Sequence, residues 1–316
     1  MVARALEVSN PSYRRVSGGC IAHAARVDGP DGPLAFLKWS PAGDPAAATY
    51  EAEEAGLGGL AGAGAVRVPR VLARLAAADA GGLLLEWLPP RRADRAAWTR
   101  FGRALARLHR PLADDRSRGV DPGATAGWDA DNFIGPLPQE NAPADGWGDF
   151  WWRRRLLPQL RRGRAAPGSL GECVAALEAR LKPLAGPLAA ALGEAAEADG
   201  IALLHGDLWS GNVHFTQDGR GGIEAALIDP SVYRGHREVD LAMAALFGGF
   251  PDAFLDAYEA EAPLLRGAES RRPAYQLYYL LVHVNLFGES YLAGTERAVD
   301  ALEVWVAGGD ANGAGR

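Results

Sequence analysis

Apolar and polar positions along the chain change rhythm near residue 90. Before it, short apolar runs alternate with glycine- and proline-marked breaks. "RRVSGGCIAHAARVD" (Arg14 to Asp28) reads as strand, glycine turn, strand, and "PLAFLKW" (Pro33 to Trp39) as a third strand. "DPAAATYEAEEAGLGGLAGAG" (Asp44 to Gly64), rich in alanine and glutamate, predicts a helix stopped by its terminal glycines. "VPRVLARLAAADAGGLLLEWLPP" adds two strands around a Gly81-Gly82 turn, closed by Pro89-Pro90. From residue 94 helices dominate: Arg95 to His109, Phe150 to Leu160, Leu170 to Ala198, Ala253 to Glu261 and Arg271 to Trp305. One two-stranded patch, "NVHFTQDGRGGIEAALID", interrupts them, its turn marked by Asp218-Gly219 and Gly221-Gly222. The pattern predicts an α+β chain with a β-rich lobe at 1–88 carrying one helix, a proline-marked hinge, and a larger helical lobe at 89–307. The remaining tail at 308–316 is expected to be disordered.

Composition narrows the class. Apolar residues make up 48% and charged residues 23%, the balance of an ordinary globular protein. No run approaches the roughly 18 apolar residues of a membrane span; the best, "LYYLLVHVNLFG", is short and contains His283 and Asn285. The start of the chain lacks the apolar core of a signal peptide, and two cysteines, Cys20 and Cys173, suit a reducing compartment, so a cytoplasmic location is expected. A net charge of −6 argues against a general nucleic-acid partner. The basic and aromatic run "WGDFWWRRRLLPQLRRGR" reads as an amphipathic helix, tryptophan inward and arginine solvated. Of 33 basic residues only Lys38 and Lys182 are lysine, so Lys38, on the third strand, marks a place that needs a compact ammonium.

The chemistry centres on "LLHGDLWSGNV" (Leu203 to Val213), followed by "LIDP" after a predicted hairpin. Asp207 and Asn212 stand at the D-x-x-x-x-N interval of a kinase catalytic loop, and Asp229 follows a hairpin as the second metal acid does. Magnesium takes few protein oxygens when it also binds phosphates, so one Asp and one Asn are enough. The N-terminal half fits the same chemistry. Lys38 lies on the third strand, and Glu53, with Glu51 and Glu54 as rivals, lies on the next helix. Gly18 and Gly19 fall in the turn between the first two strands, and Glu86, Trp87 and Leu88 fall where a hinge offers backbone groups to adenine.

With these residues in order, the chain resembles the fructosamine kinase (ketosamine 3-kinase) family, within the aminoglycoside-phosphotransferase-like branch of the protein-kinase-like two-lobe fold. The resemblance rests on "SGGCIAHA", "FLKW", "YEAEEAGLGGL", "LLLEWL", "GWDADNFIGPLPQEN", "HGDLWSGN" and "IDPSVYRGHREVDLAM". It implies phosphorylation of a sugar hydroxyl of a ketosamine by ATP, with Mg2+. It implies Asp207 as catalytic base, Asn212 and Asp229 as metal ligands, and Lys38 gripping the α- and β-phosphates, held by Glu53. Asp240 would brace the catalytic loop. The metal motif is "DPS" rather than D-F-G, which removes the phenylalanine switch of protein kinases, and the phosphate turn has only two glycines.

Neighbouring residues carry competing readings. Trp209 either stacks on the acceptor, with cation–π contact to its amine, or anchors the loop. His205 reads as a packed brace rather than a proton acceptor. Cys20, in the phosphate turn, either senses oxidation or simply fits the space. The acceptor could instead be another small alcohol, such as an aminoglycoside or amino alcohol, or the chain could be a nucleotide-binding scaffold without catalysis.

Overall fold

A computed structural model of the chain describes residues 1–16, 23–41, 46–77, 80–111 and 126–312. A short helix α1 (Val2–Ala5) precedes strands β1 (Ser12–Arg15), β2 (His23–Gly29) and β3 (Gly32–Pro41). Helix α2 (Ala46–Ala63) follows, then β4 (Val71–Ala76) and β5 (Ala80–Glu86). The five strands form one antiparallel sheet in the order β1-β2-β3-β5-β4. Strand alternation sorts its residues between two faces. Val27, Ala35, Leu37 and Leu84 form a small core on one. Leu83 and Leu85 on the other pack with Tyr50, Leu57 and Leu60 of α2. Lys38 is paired with Leu83, which places it on the α2 side of the sheet.

One glycine signal meant something other than a turn. Gly81 and Gly82 lie inside β5, opposite Ser40 and Trp39, and the connection falls earlier, between Ala76 and Ala80. The missing Cβ of Gly82 lets the carbonyl of Lys38 come close, as interior strand glycines often do. Helix α2 stops where its terminal glycines predicted, the chain leaving it at Gly64 with a φ of +64°, while the glycines of "EAGLGGL" lie inside it. They admit neighbours: a Cβ on Gly56 would stand 3.2 Å from Pro230, and one on Gly59 2.9 Å from Trp128. Close packing of α2 on the segment after Asp229 therefore depends on glycine.

The second lobe begins with α3 (Arg95–Leu108), capped by Asp94, whose carboxylate accepts from the Ala97 N–H at 2.6 Å. A hairpin absent from the sequence pattern follows, β6 (Asn132–Ile134) and β7 (Leu137–Gln139). Helix α4 (Trp147–Phe150) runs through a π-helical stretch at Trp151–Leu156 into α5 (Leu157–Arg164). Then come α6 (Ser169–Leu181), α7 (Ala185–Asp199), β8 (Ala202–Leu204), β9 (Val213–Gln217), β10 (Ile223–Leu227) and β11 (Tyr233–Gly235). Helices α8 (Glu238–Phe247), α9 (Asp252–Glu261), α10 (Ala268–Phe287) and α11 (Leu292–Asn312) complete the chain. The single helices expected at 170–198 and 271–305 are each two. Pro183 sits in the 3-10 turn that divides α6 from α7, and Gly288, at a φ of +78°, ends α10. Helix α11 extends to Asn312, into the tail expected to be disordered, while residues 313–316 lie outside the described ones.

One apolar cluster runs between the lobes, from Tyr50, Leu57, Leu83 and Leu85 to Phe101, Leu105, Leu208, Phe215 and Phe254. A separate core around Trp151, Tyr275, Tyr278 and Leu281 holds the helical lobe. Among the described residues no helix is long and apolar enough to cross a membrane.

Candidate active site

Strand β8 delivers the chain into the loop at 205–212, and β11 pairs with it, Leu204 opposite Tyr233. Gly206 takes a φ of +82° against the Ser231 carbonyl, leaving no room for a side chain. The buried carboxylate of Asp240 accepts the N–H of His205 at 2.7 Å, the N–H of Gly206 at 2.9 Å and an imidazole N–H of His109 at 3.1 Å. Burial works to raise the Asp240 pKa, but the His109 hydrogen bond, the two histidines and the Gly206 N–H outweigh it and hold it low. The Tyr279 hydroxyl donates to the Gly206 carbonyl at 2.7 Å.

His205 is a brace, as its sequence position suggested. Its Nε2 donates to the Ile228 carbonyl at 2.9 Å, its Nδ1 accepts the Asp207 N–H at 3.3 Å, and burial lowers its pKa. With both nitrogens occupied, it has none left for an acceptor's proton. Asn212 donates through Nδ2 to the Asp207 carbonyl at 2.8 Å and to Asp207 Oδ2 at 3.1 Å. That fixes the amide and leaves its Oδ1, a hard oxygen, without a hydrogen-bond partner among the described residues and so available to a cation. The Asp207 carboxyl is pushed up to about 7 by burial and then by the negative charges of Asp229 and Asp240, against the Asn212 hydrogen bond.

Facing this loop is a clamp built from three distant segments. Lys38 Nζ donates to Glu53 Oε1 at 2.7 Å and to Asp229 Oδ1. Glu51 and Glu54, the rivals for this role, pair with Arg74 instead, at 3.5 and 2.9 Å. Burial lowers the Lys38 pKa, but Asp229 and Glu53 more than reverse it, so the ammonium stays charged. Burial and Asp229 push the Glu53 carboxyl up, against the pull of Lys38. Asp229 has a φ of +54°, an uncommon conformation for a residue with a side chain, and its side chain is 42% exposed, open to a ligand. Two carboxylates, from Glu53 and Asp229, thus share a single ammonium, and Asp229 is close enough to Asp207 to raise its pKa.

The other candidates separate. Glu86 turns its carboxylate away to Arg67 at 3.0 Å and to the Arg70 N–H at 3.2 Å, and its own N–H donates to the Arg70 carbonyl. The Leu88 carbonyl accepts from His214 Nε2 at 2.9 Å, and Trp87 lies under the Arg26 guanidinium at 5.5 Å. Trp209 is 41% exposed, with its indole laid over Gly211, where a Cβ would collide with the ring. Gly18, Gly19 and Cys20 lie outside the described residues.

This arrangement belongs to a known group. A family model described as fructosamine kinase matches residues 3–304. The chain belongs to the fructosamine kinase family. It is 38% identical to a protein of Synechocystis named "Probable ketoamine kinase", over 88% of this chain and 85% of that one. It is 32% identical to the ketosamine-3-kinase of Mus musculus, over 87% of this chain and 89% of that one. A crystal structure from Thermobifida fusca assigned to fructosamine-3-kinase superposes with a TM-score of 0.73 at 36% identity, covering 95% of this chain and 97% of that one.

The stretch "NFIGPLPQEN", one of those that carry the resemblance, had no role assigned from the sequence. In this fructosamine kinase family member it forms a buried polar lattice behind Asp229. Asn132 Nδ2 donates to the Val232 carbonyl at 2.7 Å, and Gln139 Nε2 to the Ser231 carbonyl at 3.2 Å and to Asn132 Oδ1 at 2.8 Å. Arg155 closes it, donating to Asn141 Oδ1 at 2.8 Å and the Glu140 carbonyl at 2.6 Å. Here the expectation of solvated arginines fails: Arg153 and Arg154 face outward, but Arg155 is fully buried. It has no carboxylate partner among the described residues, and lies 4.0 Å from the Tyr233 ring centroid and 4.7 Å from that of Phe150. The only hint in the sequence was a run of amides beside a proline-marked hairpin.

Proposed function

We propose that the chain transfers the γ-phosphoryl group of ATP to a sugar hydroxyl of a ketosamine, free or protein-bound. The observation that carries this reading is the convergence of Lys38, Glu53 and Asp229 opposite the Asp207–Asn212 pair, the donor set a phosphoryl transfer requires. The names of the relatives supply the acceptor class.

Lys38, steadied by Glu53, grips the α- and β-phosphates. Asp207 orients the acceptor hydroxyl and receives its proton as the new oxygen–phosphorus bond forms and the bond to the leaving ADP breaks. The excess of carboxylates over ammonium, the Asn212 Oδ1 and the exposed Asp229 carboxylate fit Mg2+, which takes oxygen ligands and shares them with phosphates. When bound, Mg2+ neutralises charge on the phosphates. Catalysis by these residues is positioning and charge stabilisation.

The test is transfer of labelled γ-phosphate from Mg-ATP to ribulose-lysine, fructose-lysine, an aminoglycoside and choline. Label is expected on a ketosamine, and Asp207→Ala should cut its rate about 10³-fold while nucleotide binding is kept. Label confined to the aminoglycoside or choline overturns the acceptor. A near-normal rate in Asp207→Ala overturns the base.

A further inference from the structure

Two exposed aromatic side chains outside the phosphate site, Phe247 at 40% and Phe287 at 54%, belong to one cluster. His283 sits at its centre, with ring centroids 4.7 Å from Phe247, 5.5 Å from Phe287 and 4.8 Å from Tyr291. Two ties place this cluster beside the catalytic loop. On α10, Tyr279, His283 and Phe287 recur every fourth residue and so share one helix face. The first of them holds the Gly206 carbonyl, next to Asp207. On α8, Phe247 is followed by Gly248 and Gly249, and Gly249 approaches Ser210 so closely that a Cβ would strike its hydroxyl.

The α10 stripe thus starts at the loop bearing Asp207 and runs outward about 12 Å, eight residues at the helical rise. Its inner end is polar and its outer end is aromatic. His283 adds no cation to the surface: Nδ1 is bonded to the Tyr279 carbonyl at 2.8 Å, and burial lowers its pKa. Sugar hydroxyls would find few partners among these rings. A protonated secondary amine and the hydrocarbon it carries would find aromatic faces that attract a cation and apolar area to cover.

We propose that Phe247, His283, Phe287 and Tyr291 form a subsite for the amine-bearing part of the acceptor, so that the chain selects among ketosamines by their amine substituent. This rests on the ketosamine kinase reading, and it assigns the sugar to the Asp207 end and the substituent to the outer end of the stripe.

The experiment compares kcat/KM for two acceptors with the same sugar, one made from methylamine and one from phenylethylamine, in the wild type and in Phe287→Ala and Phe247→Ala. Both rings are substantially exposed, so truncation spares the core. The wild type should prefer the phenylethylamine adduct, and each variant should reduce that preference about five- to tenfold through KM. An unchanged preference in both variants overturns the subsite. So does a wild type that turns over the two adducts equally. A change of oligomeric state in Phe287→Ala, seen by sedimentation with the preference intact, would assign the rings to a contact between copies and also overturn it. Failure of the wild type to phosphorylate either adduct would instead refute the ketosamine reading itself.

Discussion

The peptide N–H groups of His205, Gly206 and Asp207 all find partners inside the helical lobe: Asp240 takes the first two and His205 Nδ1 the third. Lys38, across the site, has its charged partners at Glu53, 15 residues away, and at Asp229, 191 residues away. The first region is held by hydrogen bonds among buried groups, and the second by charge, within the sheet lobe at Glu53 and across to the helical lobe at Asp229. A loop of the first kind is rigid before a ligand arrives. A clamp of the second kind has more anion than cation and gains from a nucleotide-borne cation, so the phosphate side is where binding and ordering should be coupled.

The comparison breaks most sharply at Glu53. Glu53→Gln keeps a hydrogen-bonding side chain but removes one of the two carboxylate charges that share Lys38, leaving the ammonium to Asp229 alone. Loss of one partner from a largely buried ion pair should lower kcat/KM for ATP about 10²-fold, mostly through KM. Steady-state kinetics at varied ATP measures it. An effect confined to kcat would place Glu53 with the catalytic loop rather than the clamp.

Arg155 sharpens the other side. Its fork satisfies the Glu140 carbonyl and Asn141, which with Asn132 and Gln139 back the segment directly after Asp229. Lysine keeps the charge but cannot reproduce the two-armed geometry. Arg155→Lys should therefore cost about 2 kcal/mol, one or two buried acceptors left unpaired. A urea midpoint at unchanged slope reads this directly. A stability equal to wild type would mean that buried charge on the rings of Tyr233 and Phe150, and not the fork, is what the site requires.

How far the sequence went can be seen in these same residues. Lys38, Asp207, Asn212 and Asp229 stood out because strand, loop and hairpin patterns put them at functional intervals, and local pattern also gave the sheet lobe and helical lobe. Glu53 could be named only with two rivals, because three acids share four positions on one helix; Arg74, which takes Glu51 and Glu54, settles it from a strand far along the chain. Gly82 misled for a related reason. It answers to a backbone carbonyl supplied by another strand, so its local pattern resembled a turn. Arg155 was missed because its neighbours in sequence are solvated and its own partners come from a hairpin too short to leave a period.

The smallest effect concerns the anchor of α8, the helix that carries Asp240. Asp199, at the end of α7, accepts from Arg237 Nε at 2.6 Å and from His236 Nε2 at 3.1 Å, while Arg237 also donates to the Ala262 and Pro263 carbonyls at 2.8 and 2.7 Å. Burial alone would raise the Asp199 carboxyl, but the His236 and Arg237 hydrogen bonds and the charges behind them bring it down to about 2. An unfolded aspartate titrates near 4. The folded value is the lower one, so the anchor's stability is fully present above about pH 4 and is lost as pH falls toward 2. After allowance for solvent screening this is about 1 kcal/mol. The stability gap between wild type and Asp199→Asn should accordingly be constant from pH 7 to 5 and shrink between pH 4 and 2.5, measured by urea midpoints across that range. A gap that keeps its size at pH 2.5 would show that Asp199 acts through its shape and hydrogen bonds alone, which an asparagine can partly supply. The anchor of the catalytic loop would then owe as little to charge as the loop itself.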